Sequence, residues 1–171
     1  MPRYTLIARI LHWLMAVLIL FNLWLGIAHD SLPKEWQVMP VHKSVGLTVL
    51  ALAVVRLIWR LAHPAPPLPA AMPHWEKLSA HGAHWLFYAF MLLVPLSGWI
   101  MTSAGDRPLH WFFLFDVPTF AVSKADAIVG IAHEGHELMG FAWLALLVVH
   151  VAAALRHHFI LKDGVLRRML G

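Results

Sequence analysis

Four stretches of about 20 residues are almost free of charge, and this constrains the chain more than any other feature. They run over about 10–29, 42–61, 81–103 and 131–156. About 20 helical residues cross a hydrocarbon layer. The chain has 171 residues, of which 60% are hydrophobic and 13% charged. Soluble domains have roughly 45–50% apolar and about 25% charged residues, and a chain this short lacks the interior to hide the excess. The surplus apolar surface must therefore face lipid, which excludes a water-soluble enzyme and a disordered chain. The first stretch, between Arg9 and Asp30, exceeds the apolar region of a signal peptide and reads as a retained helix. The second carries Arg56 and Arg60 only in its last turns, where long side chains reach the interface. Pro95 and Gly98 predict a kink in the third.

Charge orients the helices. The side shared by the N-terminal segment, the loop between spans two and three, and the C-terminal tail holds nine basic and two acidic residues. The opposite side holds four basic and seven acidic residues, so the nets are +7 and −3. Cytoplasmic loops of membrane proteins carry the excess of Lys and Arg. The fold expected is thus an all-α integral membrane bundle: four transmembrane helices, up-down-up-down, both termini cytoplasmic, with residues 1–171 as a single membrane domain. The Pro-rich segment 63–69 reads as a stiff cytoplasmic strap. The long outer loop, about 104–130, carries an aromatic run at 109–115 expected to lie in the membrane interface. No run of Lys and Arg interleaved with aromatics points to nucleic acid.

The redox chemistry open to the chain follows from 13 His and 0 Cys. Without Cys there is no thiolate zinc site, iron–sulfur cluster or covalently attached haem. Paired histidines inside a membrane bundle suit non-covalent haem b. An axial histidine needs the macrocycle to lie against its helix, so the residue four positions on, which shares that face, should be small. His12 is followed in this way by Ala16, His42 by Gly46, His136 by Gly140 and His150 by Ala154. His81, His84, His133, His157 and His158 are followed by Trp85, Tyr88, Glu137, Leu161 and Lys162. His136 and His150 are 14 residues apart, which places them on one helix face about 21 Å apart. His12 opens the first span on the inner side and pairs with His150; His42 opens the second on the outer side and pairs with His136. Two bis-histidine haems follow, one near each leaflet. The run His133-Glu134-Gly135-His136 has its histidines three apart, where zinc hydrolases of the His-Glu-x-x-His type have them four apart.

These residues resemble the bacterial four-helix cytochrome b561 family over nearly the whole chain. The likeness rests on Ile10-Leu11-His12-Trp13, on His42-Lys43-Ser44-Val45-Gly46 and on the run 54–61 ahead of the Pro strap. It rests also on His136-Glu137, His150 and Arg156-His157-His158-Phe159 before Lys162-Asp163. The resemblance implies a diheme b-type cytochrome of the bacterial inner membrane that exchanges electrons with quinone. One branch is similar to superoxide oxidases, which pass electrons from superoxide to ubiquinone. The alternative is a non-catalytic haem-bearing subunit relaying electrons for a partner protein. Partners on this reading are membrane lipid, quinone, and superoxide or a periplasmic electron-transfer protein; monomer and homodimer both stay open. Candidate haem contacts are Arg56 and Arg60 at the inner propionates, Lys43 at the outer ones, and Gly46 and Gly140 against the outer macrocycle. His84 and His158 are the candidates for a quinone site, since quinone carbonyls need hydrogen-bond partners and a proton route.

Overall fold

Inside hydrocarbon a backbone must satisfy its own hydrogen bonds, and each of the four apolar spans does so within a helix longer than itself. The structure, a computed structural model, describes residues 3–171. Helix α1 is Leu6–Ala28, α2 is Val38–Ala62, α3 is His74–Ser103 and α4 is Ala127–Leu155, with a π-helical continuation at Arg156–Leu161. All four are long and apolar enough to cross a membrane. All four start four or more residues before the expected bounds of 10, 42, 81 and 131. Charge-free spans mark only the hydrocarbon depth, whereas helical hydrogen bonding runs on through the interface. Thr5 caps α1 by accepting from the Ala8 N–H at 3.3 Å. Glu76 in the first turn of α3 complements the helix dipole. Gln37, left-handed at φ 47°, turns the chain into α2.

Consecutive helices pack antiparallel around a core drawn from all four. It comprises Met15 and Ile19 of α1, Val45, Val49 and Ala53 of α2, Phe90, Met91 and Val94 of α3, and Trp143 of α4. Most large apolar side chains outside this core remain exposed on the bundle surface, as lipid contact requires. Pro95 lies within α3, which nonetheless runs unbroken to Ser103.

The outer loop is more ordered than an interfacial aromatic run. Strands β1 (Leu109–Trp111) and β2 (Phe115–Val117) form an antiparallel hairpin in register Leu109↔Val117, His110↔Asp116 and Trp111↔Phe115. Its tip holds Phe112 and Phe113 at φ 46° and 61°, a region bulky residues seldom enter. The first turns of α2 hold this hairpin in place. The buried Ser44 hydroxyl donates to the Pro40 carbonyl at 2.9 Å, and it accepts from the Phe112 N–H at 2.9 Å. The Trp111 indole donates to Thr48 Oγ1 at 3.0 Å. Leu109 is buried and Phe112 packs on the core, while Phe113, Leu114 and Phe115 stay exposed.

The other end is tied by the C-terminal segment. A short helix α5 (Arg167–Leu170) lies across the start of α1: Arg9 donates to the Leu170 carbonyl at 2.8 Å and the Trp13 indole to the Met169 carbonyl at 3.1 Å. Arg168, one of the nine basic residues of the inner side, is buried, and its guanidinium donates to the Pro67 carbonyl of the strap at 2.5 Å. Arg156 of the π-helix donates to Glu76 of α3 at 2.6 Å, and His157 beside it pairs with Asp163 at 2.5 Å.

Removing the Ser44 hydroxyl leaves the part-buried Phe112 N–H without its partner. Ser44→Ala is therefore expected to cost about 1–3 kcal/mol. Thermal unfolding in detergent, followed by tryptophan fluorescence, checks this; a melting temperature unchanged from the parent would refute the anchoring role.

Candidate redox site: two histidine pairs

The site is built from opposite ends of the helices. At the outer end, His42 from the first turns of α2 faces His136 of α4, with ring centroids 6.0 Å apart and planes at 81°. At the inner end, His12 of α1 faces His150 of α4 at 6.3 Å and 75°. A metal–imidazole bond of about 2.0–2.1 Å, with the ring centre about 1.1 Å further back, separates two trans imidazole centroids by about 6.3 Å. Both pairs sit close to that spacing. Among the described residues no group of three or more His, Cys, Asp or Glu converges on one point. Isolated pairs suit a macrocycle, which brings its own equatorial ligands, rather than a bare ion.

The outer pair is orientated by backbone. His42 Nδ1 lies 3.0 Å from the Asn22 carbonyl of α1. His136 Nδ1 lies 2.9 Å from the Val94 carbonyl of α3, which also accepts from Ser97 Oγ at 2.7 Å. A carbonyl can only accept, so both Nδ1 atoms carry protons and each Nε2 presents its lone pair. Two glycines make room for these rings. A Cβ on Gly26 would stand 3.0 Å from His42 Cε1, and one on Gly98 would stand 3.0 Å from His136 Cε1. The pair opens on a cavity of about 550 Å³ that reaches Lys43, Gly46 and Gly140. This is within the usual size of a cofactor pocket. A Cβ on Gly140 would meet nothing within 4 Å, so that wall is open; one on Gly46 would touch Asn22 Nδ2 at 3.5 Å. Two buried polar atoms of residues lining the cavity, Asn22 Oδ1 and Trp143 Nε1, have no partner among the described residues. A cavity with glycines in its wall, two unprotonated Nε2 atoms and orphaned polar atoms fit a large planar ligand.

The inner pair is arranged differently. Arg56 Nη2 donates to His12 Nδ1 at 3.1 Å. A guanidinium can only donate, so the proton of a neutral His12 sits on Nε2, and metal binding there requires Arg56 to release this bond. Arg56 also lies over the Tyr88 ring, 5.8 Å from its centre. His150 has a second imidazole neighbour: His84 of α3, at 5.9 Å and 71°. The bulky Tyr88 following His84 set it aside in sequence, yet it stands as near His150 as His12 does. His84 is exposed on the bundle surface. His158 lies elsewhere, in a smaller cavity whose lining does not include His84. Arg60 lies half-buried one turn beyond Arg56 and forms no ion pair among the described residues. Between the pairs sits Trp143, seven residues from each α4 histidine, buried and packed on Phe90 at 6.3 Å.

The chain matches the prokaryotic cytochrome b561 family over residues 3–171. It belongs to that family. It is 34% identical to cytochrome b561 homolog 2 of Escherichia coli (strain K12), over 99% of this chain and 92% of the relative. It is 31% identical to cytochrome b562 of Cereibacter sphaeroides, over 99% and 96%. It is 27% identical to a Yersinia pestis protein named probable superoxide oxidase CybB, over 98% and 96%. As a prokaryotic b561 cytochrome, the protein is a multi-pass bacterial membrane protein of electron transfer that uses b-type haem.

Sequence reasoning passed over Asn22, Gly26, Val94 and Ser97, and read Gly98 only as part of a kink. Glycine costs about 1 kcal/mol within a helix, so Gly26 and Gly98 near the depth of the outer histidines ask for a reason. Backbone carbonyls leave no sequence signal at all. Gly98→Val is expected to displace the His136 ring and lower the haem bound per chain. Gly82→Val, at a position where a Cβ meets nothing within 4 Å, should leave it unchanged. Haem-to-protein ratios of the two purified variants decide the point.

Proposed function

We propose that this cytochrome holds two haem b groups, one between His42 and His136 and one between His12 and His150, and passes electrons to or from quinone in the bacterial inner membrane. The observation that carries the reading is the pair of opposed histidines at 6.0 and 6.3 Å, stacked at the two ends of one bundle. Haem b, when bound, supplies a one-electron iron centre. Each histidine pair would hold the haem iron from two sides and leave no open site on it, which would favour electron transfer over oxygen binding. The Asn22 and Val94 carbonyls hold the outer rings in the ligating tautomer. Arg56, released from His12, and Arg60 are the donors for the inner propionates; Lys43 serves the outer ones. Trp143 and Phe90 fill the space between the groups and exclude water from it. His84, the exposed histidine beside His150, is the residue placed to donate to a quinone carbonyl arriving from lipid.

The excess of basic residues on the side of both termini supports a cytoplasmic inner end. The name of the Yersinia relative supports superoxide as donor. The net −3 of the outer side favours instead a basic periplasmic protein as electron donor, because an acidic surface repels an approaching anion.

A dithionite-reduced spectrum with haem quantification is expected to give two bis-histidine haems per chain. His42→Ala and His136→Ala should lose one and the same haem, and His12→Ala and His150→Ala the other. His84→Ala should keep both haems and slow their oxidation by added ubiquinone. If His84→Ala loses the inner haem and His12→Ala keeps it, the inner ligand is His84. Haem reduction by a superoxide-generating system, absent with superoxide dismutase, separates an oxidase from a relay subunit.

A further inference from the structure

The inner end holds a second cavity, of about 340 Å³, lined by His158, Phe159, Lys162, Gly164 and Arg167. We propose that it binds a phosphate group, carried by an anionic phospholipid headgroup of the inner leaflet or by free phosphate.

The first ground is unbalanced charge. The acids nearest in sequence or packing are already engaged: Glu76 accepts from Arg156 at 2.6 Å, and Asp163 pairs with His157 at 2.5 Å and accepts from the Val165 N–H at 3.1 Å. Lys162 and Arg167 form no ion pair among the described residues, and no acid lines the cavity. Two permanent cations and a histidine thus face one pocket without a counter-charge. A neutral quinone head offers acceptors but nothing to balance them, whereas a phosphate offers both.

The second ground is depth. The cavity lies where the fourth membrane-spanning segment, Ala127–Leu161, ends. Phe159, Ile160 and Leu161 are exposed by 66%, 73% and 42% beside it, a wall suited to acyl chains directly under a headgroup. The third ground is backbone shape. The wide π-turn Arg156–Leu161 ends at Lys162, left-handed at φ 52°, and Gly164 at φ 75° turns the chain back so that Arg167 lines the same pocket as His158. The irregular backbone thereby brings Arg167 to the face shared by His158 and Lys162, from which a straight helix would turn it away. The site is independent of the histidine pairs, and a phosphate there leaves His84 rather than His158 to a quinone.

The test uses the full haem-loaded chain in neutral detergent, with phosphatidylglycerol, phosphatidylcholine and inorganic phosphate as separate probes. Native mass spectrometry and thermal shift read binding, and the haem spectrum of each variant checks its fold. Phosphatidylglycerol should be retained and phosphatidylcholine should not. Lys162→Gln and Arg167→Gln should each weaken retention about fivefold. Arg3→Gln, which removes the same charge elsewhere on the inner end, should not. Stabilisation by inorganic phosphate, lost in the same two variants and unmatched by the lipid, assigns the site to free phosphate. Equal losses in Arg3→Gln and the pocket variants, or binding of neither probe, overturn the proposal.

Discussion

An imidazole within a lipid bilayer must have partners, because an unpaired buried polar group costs several times what a made hydrogen bond returns. That constraint organises this bundle. His42 and His136 each project from one helix and find their Nδ1 partner on another, Asn22 on α1 and Val94 on α3. Each outer ring therefore ties two helices together, and the two rings face one another across the cavity. Ser97, donating to the same Val94 carbonyl, adds a second polar contact at that junction.

The two ends meet the constraint with different chemistry. Carbonyls at the outer end leave both Nε2 lone pairs free, so that pair is organised for ligation as it stands. A guanidinium at the inner end places the His12 proton on the opposite nitrogen. Arg56 lies beside His12, Tyr88 and the inner cluster, where its charge either holds the histidine or turns to a ligand carboxylate. The inner end is also the more connected one: Arg9, Trp13 and Arg168 bind it to the C-terminal segment and the strap, and Arg156 binds α4 to α3. Packing of α5 over the start of α1 thus steadies the helix that carries His12.

Small residues carry as much of the architecture as polar ones. Gly26 and Gly98 let two helices approach the outer rings to a distance a methyl group would close. At the hairpin the tightness shows as backbone conformation instead, with Phe112 and Phe113 held at positive φ by the hydroxyl of Ser44 and the pairing of the strands. Both devices lie at the outer end, where α2 begins and the long loop folds back onto it.

Four spans, their alternation, the charge asymmetry and the small residues following His12, His42, His136 and His150 were all legible in the sequence. Each follows from a local rule: hydrocarbon thickness sets span length, loop charge sets orientation, and helical periodicity sets which residues share a face. Helix ends were legible only to the depth of the hydrocarbon, because interfacial turns carry charges that mask them. Tertiary structure alone decided what stands opposite each ring. The carbonyls behind His42 and His136 have no side-chain signature, and the neighbourhood of His84 and His150 depends on how α3 lies against α4. Likewise Arg168 counts as a surface cation by composition, and only the docking of α5 buries it against Pro67. Periodicity speaks about one helix at a time, whereas these contacts are made between helices.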